Sequence, residues 1–219
     1  MKKFFSFLFV PIALLACANT VKNDSNNNAL KEDVELAFEA QKGEQVAYFA
    51  SGCFWCVEEV FEAMIGVREA VSGYAGGSET NPTYKQVSAG KTSHAESVMV
   101  FYNPEEVSFE NLVAAFFASH DPTTLNRQGP DAGTQYRSIA FYSTENEKAI
   151  IEKAISELAA SKKYTTPIVT EVKKIDKFWN AEDYHQNYVE HNPGNPYVQS
   201  VSIPRFERFK RNFDLRLLR

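Results

Sequence analysis

Apolar and polar positions fall into blocks from residue 45 onward, and the period of each block predicts an element. Gln45-Val46-Ala47-Tyr48-Phe49-Ala50 is short, mostly apolar and bounded by Ser51-Gly52, as a buried strand should be. Val57, Val60, Phe61, Met64 and Ile65 then recur at helical spacing until Gly66 ends the pattern. Residues 67–74 predict another strand, and the glycines within 72–81 predict a loop. Residues 95–102 alternate and close on Asn103-Pro104, which reads as a further strand. Phe109, Leu112, Val113, Phe116 and Phe117 share one helical face, with Ser108 placed as its cap. Residues 120–135 hold Gly129-Pro130-Asp131 and Gly133 but no period, and loops this long inside a domain tend to carry function. A strand over 136–142, a helix from the Thr144/Glu147 capping box to about residue 160, and a strand over 168–175 complete the path. Strands and helices mix without strict alternation. The expected class is α+β: a two-layer, ferredoxin-like mixed sheet packed against helices, with long irregular loops.

The first 44 residues read differently. Lys2 and Lys3 precede an apolar stretch, 4–15, that is too short to span a membrane and suits an export signal covering 1–16. Leu14-Leu15-Ala16-Cys17 resembles a lipobox, whose cleavage leaves Cys17 as a lipidated N-terminus. An ordinary signal with an incidental cysteine is the alternative. The expectation is an exported lipoprotein anchored to a membrane of the bacterial cell envelope, in the periplasm or at the cell surface. Residues 17–44 include Asn23-Asp24-Ser25-Asn26-Asn27-Asn28 and read as a solvated tether, with a helical turn or two over 32–40. Residues 45–219 form one domain, and no internal repeat is visible.

The net charge of −5 falls to −7 once Lys2 and Lys3 are removed, which argues against nucleic acid as a partner. One basic segment stands apart. In the tail 205–219, Arg205, Arg208, Lys210, Arg211, Arg216 and Arg219 alternate with Phe206, Phe209, Phe213, Leu217 and Leu218. Such a stripe predicts a terminal helix docked on its own core in preference to an anionic membrane.

Cys53-Phe54-Trp55-Cys56 carries the chemistry, because Cys17 is the only other cysteine. A thiol at the first turn of a helix faces unpaired N–H groups that favour thiolate, and a thiol three residues on can close a disulfide with it. That pairing suits a nucleophile and a resolving partner. Zinc would need two further ligands, and His94, His120, His185 and His191 are not in tight spacing, so no metal is expected. A passive disulfide gains little from so short a loop. A thioredoxin-like exchanger would also place its dithiol at a helix start, but Phe54 and Trp55 set a large apolar surface beside the nucleophile. That surface favours a pocket for a small sulfur- or methyl-bearing substrate. Tyr184-His185-Gln186 offers a base for a Cys–His hydrolase; nothing places it near Cys53, and a structural histidine is the favoured reading.

Gly52-Cys53-Phe54-Trp55-Cys56-Val57-Glu58 resembles the signature of the peptide methionine sulfoxide reductase A family. So do, in order, residues 72–77, Asn81-Pro82-Thr83-Tyr84, His94-Ala95-Glu96, Asp131-Ala132-Gly133-Thr134-Gln135-Tyr136-Arg137-Ser138 and Ala181-Glu182-Asp183-Tyr184-His185-Gln186, so that the resemblance covers about 45–205. It implies reduction of the S epimer of methionine sulfoxide, free and in oxidised proteins, as repair. It also implies roles: Cys53 as nucleophile, Glu96 as acid, Tyr84 and Tyr136 as donors to the sulfoxide oxygen, Phe54 and Trp55 as walls for the methyl group, and Asp131 as a polar lining residue. Attack on sulfur would leave sulfenic acid on Cys53, which Cys56 would convert to a disulfide. No cofactor is implied beyond an external dithiol such as thioredoxin. The chain departs from its family in two places. Tyr197-Val198-Gln199-Ser200 stands where many members keep a resolving cysteine, and Cys56 stands where many have glycine. Both departures leave Cys56 as the resolving thiol.

Overall fold

The computed structural model describes residues 38–219 together with Met1. The export stretch, the lipobox with Cys17, most of the tether and most of the expected turn over 32–40 lie outside the described residues.

Strand β1 (Gln45–Ser51) leads into helix α1 (Phe54–Glu62), followed by β2 (Val67–Ala75), α2 (Tyr84–Ser88), β3 (Ala95–Tyr102) and α3 (Phe109–Ala118). A small hairpin, β4 (Arg127–Gln128) and β5 (Asp131–Ala132), precedes β6 (Ser138–Tyr142), α4 (Glu145–Ala160), β7 (Glu171–Lys174) and β8 (Phe178–Asn180). The short α5 (Tyr188–His191) and the terminal α6 (Ile203–Asn212) close the chain. The large sheet has the order β7-β6-β1-β3-β2-β8. Its antiparallel centre, β6-β1-β3-β2, has the ferredoxin-like arrangement expected of a β-α-β-β-α-β path. At one edge β7 joins β6 in parallel through the α4 crossover, and at the other β8 pairs antiparallel with β2.

Packing explains the order. Phe49 on β1 stacks on Phe61 of α1 and Phe116 of α3, with ring centroids 4.9 Å and 5.2 Å apart, which joins the sheet to both helices. Every residue of β3 is buried. The alternation over 95–102 therefore separates two covered faces, with Val98 and Val100 toward the main core and Met99 and Phe101 toward Tyr48 and Phe178. Local caps work as the sequence predicts. Ser108 Oγ accepts from the Asn111 N–H at 3.2 Å, and Thr144 Oγ1 accepts from the Glu147 N–H at 3.2 Å.

Several boundaries differ from expectation. Helix α1 stops at Glu62; Met64 and Ile65 leave it to meet the C-terminus, where the Ile65 N–H donates to Leu217 O at 2.9 Å. Strand β2 covers the expected 67–74 and runs one residue further, to Ala75, so the glycine-rich loop begins later than residue 72. A Cβ at Gly73 would sit 2.3 Å from Phe178, so the glycine is what lets β8 lie against this strand. Tyr136 belongs to a 3-10 turn, Thr134–Tyr136, ahead of β6, and β7 is shorter than the stretch 168–175. The basic tail forms α6 and docks on the core as expected: Phe209 is buried and stacks on Phe213 with centroids 4.9 Å apart.

Candidate active site

The turn from β1 to α1 positions the nucleophile. Gly52 has φ +93°, and a Cβ there would lie 2.6 Å from Cβ of Gln128, so neither the backbone angle nor the space admits a side chain. Cys53 follows as the N-cap of α1, with Cys56 one turn on. Cys53 is 6% exposed and Cys56 1%, and both are free thiols.

A cavity of about 330 Å³ opens over Cys53 and is lined by Phe54, Trp55, Tyr84, Glu96, Asp131, Tyr136, Asn195 and Tyr197. The residues expected from the sequence therefore converge, from α1, α2, β3, β5 and the 3-10 turn. Cys56 is the exception: it does not line the cavity but lies in the core, its thiol donating to Ser202 Oγ at 3.2 Å. Asn195 and Tyr197 were not anticipated as site residues. Asn195 immediately precedes a helical stretch that begins at residue 196 and carries Tyr197; Tyr197 entered the sequence reading only as part of 197–200, a segment without cysteine. Tyr197 donates to Asp131 Oδ2 at 2.5 Å and its hydroxyl also reaches the Cys53 sulfur. Asn195 Oδ1 accepts from the Tyr197 N–H at 2.8 Å and from the Val198 N–H at 3.4 Å, capping that stretch.

The aromatic walls are braced from behind. Trp55 stacks on Tyr188 at 3.8 Å between centroids and donates from Nε1 to His185 Nδ1 at 3.1 Å. The His185 ring also lies 4.3 Å from Tyr84 and 5.0 Å from Phe54. Burial pushes His185 down to about 4, so at neutral pH it is an uncharged acceptor supporting the walls, in line with a structural histidine. Glu182 ties two more pieces together, accepting the Tyr84 N–H at 2.9 Å and the Tyr74 hydroxyl at 2.8 Å.

Electrostatics favour a neutral acid over the nucleophile. Glu96 is 2% exposed, and burial raises it to about 8 against the opposing hydrogen bond from the Phe54 N–H, so it is protonated at neutral pH. Burial also raises Tyr84 to about 12 and lifts Tyr136, which keeps both hydroxyls as donors. Burial raises Asp131 too, opposed by Tyr197 and Arg205.

The helix-start argument for a Cys53 thiolate needs correction. Burial, with the neighbouring Cys56 sulfur, holds Cys53 well above an ordinary thiol. The neighbouring Cys56 thiol is pushed the other way, down to about 6, first by the hydrogen bond from Cys53 and against burial. The first amide of α1, from Phe54, donates to Glu96 Oε2, and the Cys53 side chain accepts no capping hydrogen bond from the helix start.

Comparison with known proteins agrees with this geometry. A family model for peptide methionine sulfoxide reductase matches residues 45–216. Peptide methionine sulfoxide reductase MsrA 1 of Rhodopirellula baltica is 48% identical over 171 residues, covering 78% of this chain and 88% of that protein. The MsrA of Nautilia profundicola is 49% identical over 163 residues, covering 74% and 92%. Among solved structures, reduced Mxr1 from Saccharomyces cerevisiae aligns with a TM-score of 0.67 at 34% identity, covering 72% of this chain and 91% of that one. Methionine sulfoxide reductase A of Corynebacterium diphtheriae aligns with a TM-score of 0.64 at 36% identity, covering 71% and 78%. Ordered motifs, fold and relatives thus lead to one assignment: the chain belongs to the peptide methionine sulfoxide reductase family, oxidoreductases that return methionine sulfoxide to methionine in protein repair.

Proposed function

We propose that the chain reduces the S epimer of methionine sulfoxide, free and in proteins, with Cys53 as nucleophile and Cys56 as resolving thiol. The observation that carries this reading is the convergence on one cavity of the Cys53 thiol, the protonated Glu96 carboxyl, the Tyr84 and Tyr136 side chains and the Phe54–Trp55 walls. Cys53 attacks the sulfoxide sulfur as Glu96 protonates the oxygen and the two tyrosines donate hydrogen bonds to it. Methionine leaves, and Cys53 keeps the oxygen as sulfenic acid. Cys56 then displaces that oxygen as water to give a Cys53–Cys56 disulfide, which an external dithiol of the thioredoxin type reduces.

Selectivity follows from three fixed points. The oxygen is held by Glu96 and the tyrosines, the methyl by Phe54 and Trp55, and the remaining substituent must leave through the mouth of the cavity. A chiral sulfur satisfies all three in one hand only, and the family resemblance supports S. The sequence before residue 45 supports export and anchoring through a lipidated Cys17. Incubating the purified chain with each epimer and dithiothreitol tests the catalytic reading. The expected result is consumption of S alone; consumption of R, or of neither, overturns it.

A further inference from the structure

Arg205 is 5% exposed, and each hydrogen bond it makes goes to a neutral oxygen. Nε donates to Ser119 O at 2.9 Å, and Nη2 donates to Ser51 O at 2.9 Å and Ser51 Oγ at 3.2 Å. Nη1 has no partner among the described residues and is not sealed in the core, so it keeps contact with solvent. Arg205 takes part in no ion pair with a carboxylate among the described residues. A guanidinium removed from water calls for an anion nearby, because buried charge without a counter-charge is costly.

Arg205 lines a cavity of about 460 Å³ formed by the stretch that follows α3, residues 163–164 and α6. Arg208, one turn further along α6, lines it too, with Arg127 from β4 and Lys163 from beyond α4. None of these three cations is in an ion pair among the described residues. Arg127 donates once, over a long 3.5 Å, to Gly129 O, and Lys163 lies 5.5 Å from the centre of the Tyr164 ring. One acid lines the cavity, Asp121, and its Oδ1 is taken by the N–H and the hydroxyl of Thr123 at 2.9 Å and 2.6 Å. His120 has both ring nitrogens engaged, Nδ1 with Phe116 O at 2.7 Å and Nε2 with Ser138 Oγ at 2.8 Å. Four cations therefore share one opening in a chain whose net charge is −5.

We propose that this cavity binds a small tetrahedral oxyanion of the phosphate class, with Arg205 as the buried anchor and Arg208, Arg127 and Lys163 as outer cations. Three exposed cations alone would be an ordinary solvated surface. Arg205 makes the difference, because burial removes most of the water that would offset its charge, while Nη1 keeps two N–H donors free of protein acceptors. Its three bonds to Ser119 and Ser51 hold the guanidinium in one orientation, as a pre-formed site requires. Guanidinium groups bind phosphate through paired, charge-assisted hydrogen bonds, and a tetrahedral oxyanion can accept them from several sides at once. A dianion also answers more of the four positive charges than a single carboxylate does. The proposal is independent of the Cys53–Cys56 reading, because no residue of this lining belongs to the cavity over Cys53.

Calorimetric titration of the full chain with inorganic phosphate, and separately with glycerol 3-phosphate, in low-salt buffer tests the site. Saturable binding of one anion per chain is expected, and sodium chloride at matched ionic strength should give none. Arg205→Gln should weaken binding by about 10-fold or more, the effect of losing a hydrogen bond to a charged group, and Arg208→Gln should weaken it too. Lys91→Gln removes an exposed cation outside the cavity and should leave the affinity unchanged; an equal loss there overturns the proposal. Tighter binding of glycerol 3-phosphate identifies a phosphate ester as the ligand, and tighter binding of inorganic phosphate the free ion; either supports the site. Absence of saturable binding for both anions overturns it, as does an unchanged affinity in folded Arg205→Gln. If circular dichroism shows Arg205→Gln unfolded, Arg208→Gln decides: weakened binding supports the site and unchanged binding overturns it. The epimer assay reads a different cavity, so either proposal can fail while the other stands.

Discussion

The main-chain N–H of Phe54 donates to Oε2 of Glu96 at 3.1 Å, so the positive start of helix α1 faces the acid. That contact fixes the carboxyl over the nucleophile, while burial keeps its proton to about pH 8. Glu96→Gln keeps the acceptor and removes the proton. Its single-turnover rate should fall by about 10²-fold or more, the usual scale of general-acid catalysis. In the unsubstituted chain the step should also slow as pH rises through about 8, where Glu96 ionises, and the variant should lack that limb. Rapid-quench methionine yields across pH check both. A rate within a few-fold of wild type rules Glu96 out as the main acid.

Cys56→Ser separates chemistry from recycling. Attack and methionine release need the nucleophile, the acid and the cavity, so the variant should release about one methionine per enzyme. Sulfenic acid should build up on Cys53. Turnover with a thioredoxin-type dithiol should stop. Sulfenic-acid trapping and steady-state assays read the two effects, and normal cycling would remove Cys56 from the mechanism.

Tyr197→Phe takes away a hydroxyl that bonds Asp131 at 2.5 Å and reaches Cys53. Losing one hydrogen bond to a charged group should lower kcat/KM by about 10-fold or more. An unaltered kcat/KM in this variant would make Tyr197 a mere wall of the cavity.

Stability should fall as the solution is made alkaline. Burial raises Glu59 to about 7, Glu62 and Glu96 to about 8, and Glu58 to about 9. The native state therefore holds protons that the unfolded chain has already released, and this stabilisation is lost as pH climbs through those values. Cys56, lowered to about 6, works the other way over part of the range, one group against four. His120, lowered to about 3, and His185, lowered to about 4, act only below their unfolded value near 6.5. The melting temperature should thus drop between pH 6.5 and 9. Glu58→Gln keeps an acceptor for the Asn187 N–H, a 3.1 Å bond, and should shrink the drop. The same drop in that variant would mean Glu58 does not titrate there.

Cys17→Ser tests the proposed anchor independently of catalysis. It should abolish metabolic lipid labelling and shift the protein out of the membrane fraction, with activity kept. Unchanged labelling removes the lipoprotein reading alone.

Long, strongly periodic segments were readable from the sequence. Helix α4 begins at its Thr144/Glu147 box, α3 begins after Ser108, and the central strands lie where their apolar runs lie. Short elements were not. Phe178–Asn180 and the 127–132 hairpin hold too few residues to display a period, and long-range pairing alone makes them strands. In the site, family motifs located the cavity-lining residues except Asn195 and Tyr197, and the burial that raises the Cys53 thiol is not visible in the motif. The contacts around the thiols, Phe54 to Glu96 and Cys56 to Ser202, span 42 and 146 residues, a range that local spacing cannot show. Arg205 looked like one more cation of an amphipathic stripe and is instead buried in the core.

The last residues of the chain are stitched to the far end of the helix that begins at the thiols. The Arg219 N–H donates to Ala63 O at 2.8 Å, and Met64 bridges Leu218. A resolving thiol carried on a C-terminal tail has to travel to its partner. One placed on the next turn of α1 does not, and here the tail is free to serve as a fastening. The disulfide proposed between Cys53 and Cys56 would join neighbours on a single helix, so closing it would ask nothing of the fastened tail.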